Sequence, residues 1–183
     1  MLPVSIRPAE PRDIAAITRI YARAVEQGTA SFEIDPPDEA EMTRRLQTLV
    51  SAGFPFLVAE QGEPAGEVLG YGCAGLYRAR PAYRFTVEDS IYVAPQMQRR
   101  GIGRALLGRV IRESEARGFR QMIAVIGDSG NDSSIGLHQS LGFVRAALLP
   151  TIGFKRGRWI DCVMMQRPLG PGSTSLPQEI PPP

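Results

Sequence analysis

Apolar residues recur along this chain with two periods, one suited to strands and the other to helices, and the order in which they alternate predicts the fold. Residues 4–7 read as a short strand. Residues 11–27 then carry Ile14, Ile17, Ile20, Tyr21, Ala24 and Val25 on one helical face, with Asp13 in the first turn and Gly28 as the stop. Pro36-Pro37-Asp38-Glu39 opens a second helix in both geometry and charge, and Met42, Leu46, Leu49 and Val50 carry it to Gly53. Two β-rich runs, 54–60 and 66–77, flank Gln61-Gly62-Glu63-Pro64-Ala65, which predicts an antiparallel hairpin.

The strand over 85–93 runs into Ala94-Pro95, where proline ends the hydrogen-bond ladder. A helix over 100–117 follows, with Ile102, Leu106, Leu107, Val110 and Ile111 on one side, arginines and Glu113 on the other, and Gly118 closing it. Residues 121–126 form a continuous apolar strand, 133–141 a helix ended by Gly142, and 143–148 and 159–165 two further strands. The order β-α-α-β-β-β-α-β-α-β-β predicts an α/β layered fold. Its sheet is central, mixed and mostly antiparallel, flanked by helices.

At 183 residues the chain suits one domain, which we expect to span 1–168. Residues 169–183 are proline-rich and almost free of apolar surface, so they are expected to form a disordered tail. Hydrophobic residues make up 43% and charged ones 22%, which excludes global disorder. A net charge of +2 without basic runs excludes a nucleic-acid binder. No apolar stretch is long enough to span a membrane, and residues 1–10 lack a secretory-signal layout, so a cytoplasmic location without membrane contact is expected. Cys73 and Cys162 lie in separate apolar strands and read as two unbridged thiols. With a single histidine they make no metal site.

The chemistry concentrates in Gln98-Arg99-Arg100-Gly101-Ile102-Gly103, between the strand and the long helix. A helix start exposes unpaired N–H groups and partial positive charge, and glycines there let an anion approach closely. The stretch lacks the Lys-Ser/Thr ending of a P-loop, and Leu106 stands where a dinucleotide fingerprint needs its third glycine. What remains is Q-x-x-G-x-G, the pattern of a coenzyme A pyrophosphate loop.

That loop within this element order resembles the GNAT superfamily of acyl-CoA N-acyltransferases over residues 4–168. Thr29-Ala30-Ser31-Phe32, Arg78-Ala79-Arg80-Pro81-Ala82-Tyr83, Ala124-Val125-Ile126-Gly127 and Gly153-Phe154-Lys155 with Trp159 are similar to the phosphinothricin and methionine sulfoximine N-acetyltransferases. The chain departs from that group's pattern at Arg156 and Ile160, where the pattern carries histidines. The resemblance implies acetyl-CoA as co-substrate, no metal, a small amino acid as acceptor of the acetyl group on its α-amine, and a homodimer. It also implies backbone contacts of Ile91, Tyr92 and Val93 along the pantetheine arm, and a diphosphate held by Arg99, Arg100, Gly101, Ile102, Gly103 and Arg104.

The same resemblance places Glu88 as the general base that takes the ammonium proton. Asp89 points to the opposite face of a regular strand and cannot share that task. His138, the only histidine, falls at the proton-donor position and titrates near neutrality, so it suits either direction of transfer. Asn131, two helical turns earlier on the same face, is implied to bond the cofactor's amide arm and reads equally as a helix cap. Arg78 and Arg80 offer guanidinium groups to a substrate carboxylate, and Phe32, Tyr83 and Tyr92 are expected to wall its side chain. Two other readings stay open: a peptide N-terminal or polyamine acetyltransferase, and a non-catalytic domain that only binds acyl-CoA.

Overall fold

The computed structural model describes residues 4–62 and 66–177. Seven strands form one sheet in the order β1-β2-β3-β4-β5-β7-β6. They are β1 (Val4–Pro8), β2 (Phe56–Gln61), β3 (Glu67–Leu76), β4 (Thr86–Val93), β5 (Gln121–Gly127), β6 (Val144–Lys155) and β7 (Arg158–Pro168). All neighbours are antiparallel except β4 and β5. The helices are α1 (Ile14–Gln27), α2 (Glu39–Ser51), α3 (Ile102–Ala116) and α4 (Asp132–Gln139). Order and pairing agree with the expected mixed, mostly antiparallel sheet. Residues 63–65 of the predicted β2–β3 turn lie outside the described residues.

The sheet's alternation sorts the core into two layers. On one side, α1 and α2 bury Ile17, Val25, Met42 and Leu46 against Phe56, Val58 and Tyr71. On the other, Ile102, Leu106, Leu107, Val110 and Ile111 of α3 pack on Leu57, Leu69, Val87 and Met122. These five are the residues whose spacing predicts the buried face of α3. Helix α2 begins where the sequence places it, because the Asp38 carboxylate accepts from Glu41 N–H at 2.8 Å. The first turn before α1 is a 3-10 turn over Pro11–Asp13 rather than α-helix.

Two expectations change in the second half. Strand β6 does not stop at 148. After an irregularity between Leu149 and Gly153, in which Thr151 takes φ 52°, pairing with β7 resumes through Lys155. Arg156 and Gly157, at φ 53° and 73°, then close a two-residue hairpin turn whose handedness matches the twist of the strands. The segment after Pro168, expected to be disordered, turns back on the domain through the buried Leu169 and Gly172, and residues 173–177 beyond are exposed. Leu169 is fully buried and its N–H donates to Arg120 C=O at 2.9 Å. The Arg120 guanidinium donates to Gly172 C=O, Ser175 Oγ and Leu176 C=O at 3.1–3.3 Å. One buried leucine and one multidentate arginine offset the ordering cost that composition alone leaves uncovered. Residues 178–183 of the expected tail lie outside the described residues.

Cys73 and Cys162 are both free thiols. Among the described residues, no helix is long and apolar enough to cross a membrane, and no cluster of three His, Cys, Asp or Glu side chains is placed to hold a metal ion.

Candidate active site

Strands β4 and β5 pair only over Thr86–Gln121 to Asp89–Ala124. Beyond Asp89 they part, while β4 stays in register with β3 up to Val93. Tyr77 N–H donates to Thr86 C=O and Ala94 N–H to Leu69 C=O, so even-numbered residues of β4 turn their backbone groups toward β3. Odd-numbered residues turn theirs the other way. Ile91 and Val93 therefore present N–H and C=O groups to the opening between β4 and β5. Tyr92 does not, which corrects its expected backbone role. Its ring instead packs edge-on to Tyr21 at 4.8 Å and stacks on Tyr71 at 5.4 Å.

A cleft of about 640 Å³ runs along this opening, bounded by Ile91, Tyr92 and Val93, the turn before α3, and the start of α4. In that turn Arg99 and Gly101 take φ 59° and 82°, and a Cβ at Gly101 would meet nothing within 4 Å. Left-handed residues alternating with others turn successive amides toward one concavity, and the unpaired amides of the first turn of α3 add to it. Gln98, Arg99, Gly101, Gly103 and Arg104 line the cleft. Arg100 does not line it, and the Ile102 side chain is 4% exposed within the core, so Ile102 has only its backbone to offer. Arg104 is tied to Ser140 Oγ at 2.7 Å. This concavity, with the open edge of β4 beside it, fits an extended ligand bearing a diphosphate.

A second cavity of about 410 Å³ shares Ala30, Ile91, Tyr92, Asn131 and Ser134 with the first and passes through the β4–β5 gap. Phe32, Glu88 and Tyr92 line it from the α1 side, and Asp89 and His138 from the α4 side. Burial raises the Glu88 carboxyl above its usual range, and the Arg78 guanidinium at 3.8 Å opposes that shift. Asn131 caps α4, its Oδ1 accepting from Ser134 N–H at 3.2 Å, and lines both cavities. His138 is buried, with Nε2 3.1 Å from Asp89 Oδ2 and Nδ1 2.7 Å from Ser134 C=O.

The fold thus brings Glu88, His138, Asn131, Phe32, Tyr92 and the glycine turn together. It leaves Arg78, Arg80 and Tyr83 outside both cavity linings, Tyr83 lying edge-on to Tyr77 at 5.7 Å. Arg78 stands at the margin, 57% exposed beside Glu88.

The wall over 28–33 is held by contacts that no local periodicity in the sequence marks. The hairpin tip between β6 and β7 clamps it: Lys155 Nζ donates to Ser31 C=O at 2.8 Å and Arg156 to Glu26 C=O. Asp128, at φ 74°, accepts from Thr29 Oγ1 at 2.8 Å and pairs with Arg158. The Gly153-Phe154-Lys155 stretch marks this clamp in the sequence, but nothing local names its partners, which are about a hundred positions away.

With this geometry in place, the comparisons with known proteins fall into one class. The chain belongs to the acetyltransferase (GNAT) family, which it matches over residues 15–143. Within that family it is 52% identical over 174 residues to a phosphinothricin N-acetyltransferase of Alcaligenes faecalis, covering 95% of this chain and 87% of that protein. It is 41% identical to an L-methionine sulfoximine/L-methionine sulfone acetyltransferase of Pseudomonas aeruginosa, covering 91% and 95%. Its fold superposes with a TM-score of 0.92 on the crystal structure of a phosphinothricin acetyltransferase from Sinorhizobium meliloti in complex with acetyl-CoA. That protein is 46% identical, with 96% and 94% of the two chains covered.

Proposed function

We propose that this protein transfers the acetyl group of acetyl-CoA to the α-amine of a small free amino acid such as phosphinothricin or methionine sulfoximine, with both substrates bound together. One observation carries the reading: the diphosphate-shaped cleft and the cavity holding Glu88 meet at the β4–β5 gap, so an amine beside Glu88 lies at the end of the cofactor groove. Phosphinothricin and methionine sulfoximine relatives at 52% and 41% identity support the acceptor class.

Bound there, acetyl-CoA supplies an activated thioester. The amides of 99–104 hold its diphosphate, with Arg99 adding charge, and the Ile91 and Val93 backbone groups align the arm and polarise the carbonyl. Glu88 takes the proton of the acceptor ammonium, directly or through one water; the amine would then form the new C–N bond at the thioester carbonyl as the C–S bond breaks, with His138 supplying the proton to the departing thiolate. Arg78 receives the acceptor's carboxylate, and Phe32 and Tyr92 enclose its side chain. Two unbridged thiols support a reducing location such as the cytoplasm.

The test is a thiol-release assay across free amino acids, their methylsulfonyl and phosphinic analogues, short peptides and polyamines. Turnover is expected only with free amino acids. Preference for peptides or polyamines, or tight acetyl-CoA binding without turnover of any amine, would overturn the proposal. Gly101→Val forces a β-branched side chain into the left-handed region and pushes it into open groove space. It is expected to weaken acetyl-CoA binding at least about tenfold by calorimetry, while the left-handed strain of roughly 1–2 kcal/mol lowers the melting temperature by only about 5 °C.

A second copy of this chain is the partner we propose. Strand β6 is the sheet's outer edge, and Leu148, Leu149, Ile152, Phe154 and Trp159 on it and its partner strand are exposed. An uncovered apolar edge of this kind is suited to burial against an identical one. Sedimentation of the wild type should show a dimer, and Ile152→Glu should shift it to monomer. A monomeric wild type at micromolar concentration sinks the proposal.

A further inference from the structure

His138 and Asp89 meet on the face of β4 opposite Glu88, and their contacts restrict where protons sit. Ser134 C=O only accepts, so the Nδ1 atom 2.7 Å away must carry a proton. Nε2 faces Asp89 Oδ2 at 3.1 Å, so one proton lies along that line, and with it on Nε2 the pair is an imidazolium against a carboxylate. The two side chains are 5% and 2% exposed, and Asp89 Oδ1 is buried with no hydrogen-bond partner. A buried carboxylate with one oxygen unpaired is tolerated when a cation lies against the other. The Phe143 ring, edge-on at 5.0 Å, fixes the plane of the imidazole.

We propose that Asp89 is a positioning residue for His138, holding the ring beneath the β4–β5 gap as an imidazolium with its Nε2 proton retained at neutral pH. This deepens the acetyltransferase reading and rests on it only for its kinetic consequence. The groups facing His138 are Asp89 from β4, Ser134 from its own helix and the Phe143 ring. Glu33, Glu88, Tyr21 and Tyr92 line the same cavity from the other side of the gap. Desolvation acts against the cation, the hydrogen bond and charge of Asp89 act for it, and the balance raises the His138 pKa. The strand thereby separates two adjacent carboxylates by face: one is exposed enough to accept a proton from an amine, and the other is committed to the imidazole.

Because His138 is the only histidine, its Cε1–H resonance in tag-free protein reports the titration without assignment, whether or not any amine is acetylated. The wild-type midpoint is expected above the ordinary imidazole value, because the Asp89 carboxylate outweighs the desolvation of the ring. In Asp89→Asn the midpoint should fall by at least one unit, while Asp89→Glu keeps it raised. The alkaline limb of the kcat profile should move with it, and kcat at pH 8 should drop at least fivefold. In a His138→Gln background the same Asp89→Asn change should cost less than twofold, since Asp89 acts through the ring. A wild-type midpoint at or below the ordinary value of about 6.5 overturns the proposal without any variant. So does an Asp89→Asn midpoint equal to the wild type's, or an undiminished kcat penalty in the His138→Gln background.

Discussion

Glu88→Gln is expected to lower kcat by roughly 10²- to 10⁴-fold, the range that a positioned proton acceptor contributes. Acetyl-CoA affinity should stay within twofold, because the cleft proposed for it is lined by α1, the end of β4 over Ile91–Val93, the turn before α3 and α4, with Glu88 absent from it. The isosteric amide keeps the side chain's volume and removes only its basicity. The pH dependence gives a second readout. Burial raises the Glu88 pKa, so the acid limb of kcat/KM should lie above the ordinary carboxylate value of about 4.3, with activity lost as pH falls through it. In the variant that limb should vanish along with most of the rate. A thiol-release assay run from pH 5 to 9 at saturating acetyl-CoA decides the matter: a variant that retains a third of the wild-type rate removes Glu88 from proton transfer.

Much of this architecture is legible because it is written in local periods. The buried stripe of α3, the Asp38 cap and the β4-to-glycine-turn junction each depend on residues within about ten positions of one another, and each appears where the pattern predicts. The two-residue period of β4 is by itself enough to put Glu88 and Asp89 on opposite faces. What the sequence conceals is held by long-range pairs. Asp89 and His138 are 49 positions apart, Lys155 and Ser31 124 apart, and Arg7 and Glu60 53 apart. No periodicity records such a pairing. Composition hides a related kind of contact: in the proline-rich stretch after Pro168, Leu169 is buried and the Arg120 guanidinium reaches Gly172, Ser175 and Leu176, partners that no local pattern advertises. The expected roles of Arg80 and Tyr83 rest on their place in a motif, whereas a motif does not report which way a short turn over Pro81–Tyr83 aims its side chains.

Arg7→Met is expected to be among the most destabilising single changes in the described fold. Both faces of the guanidinium fork are occupied: Nε and Nη2 reach the Glu60 carboxylate at 2.7 and 2.9 Å, and Nη1 and Nη2 reach Asp13 at 2.7 and 2.9 Å. The residue thereby joins β1, β2 and the entry to α1, whose far end walls the cofactor cleft. Methionine retains the apolar stem and deletes the charge, leaving the Asp13 carboxylate, 3% exposed, with only the Glu10 N–H at 2.8 Å. Removing one partner of a buried pair costs on the order of 3 kcal/mol, which at this chain length corresponds to a drop of about 10 °C in melting temperature. Adding Asp13→Asn should restore part of it, since the amide keeps the Glu10 bond and needs no cation. The pH dependence follows from the carboxylates. Arg7 holds Glu60 down to about 2 and Asp13 below its usual value, so their contribution is complete above the unfolded values near 4 and is lost as pH falls toward 2. Wild-type melting temperature should therefore fall steeply across that acid window, and the Arg7→Met curve should be flatter there. Parallel curves, or a variant melting within 2 °C of wild type at pH 7, would show that the network is held by something other than the arginine's charge.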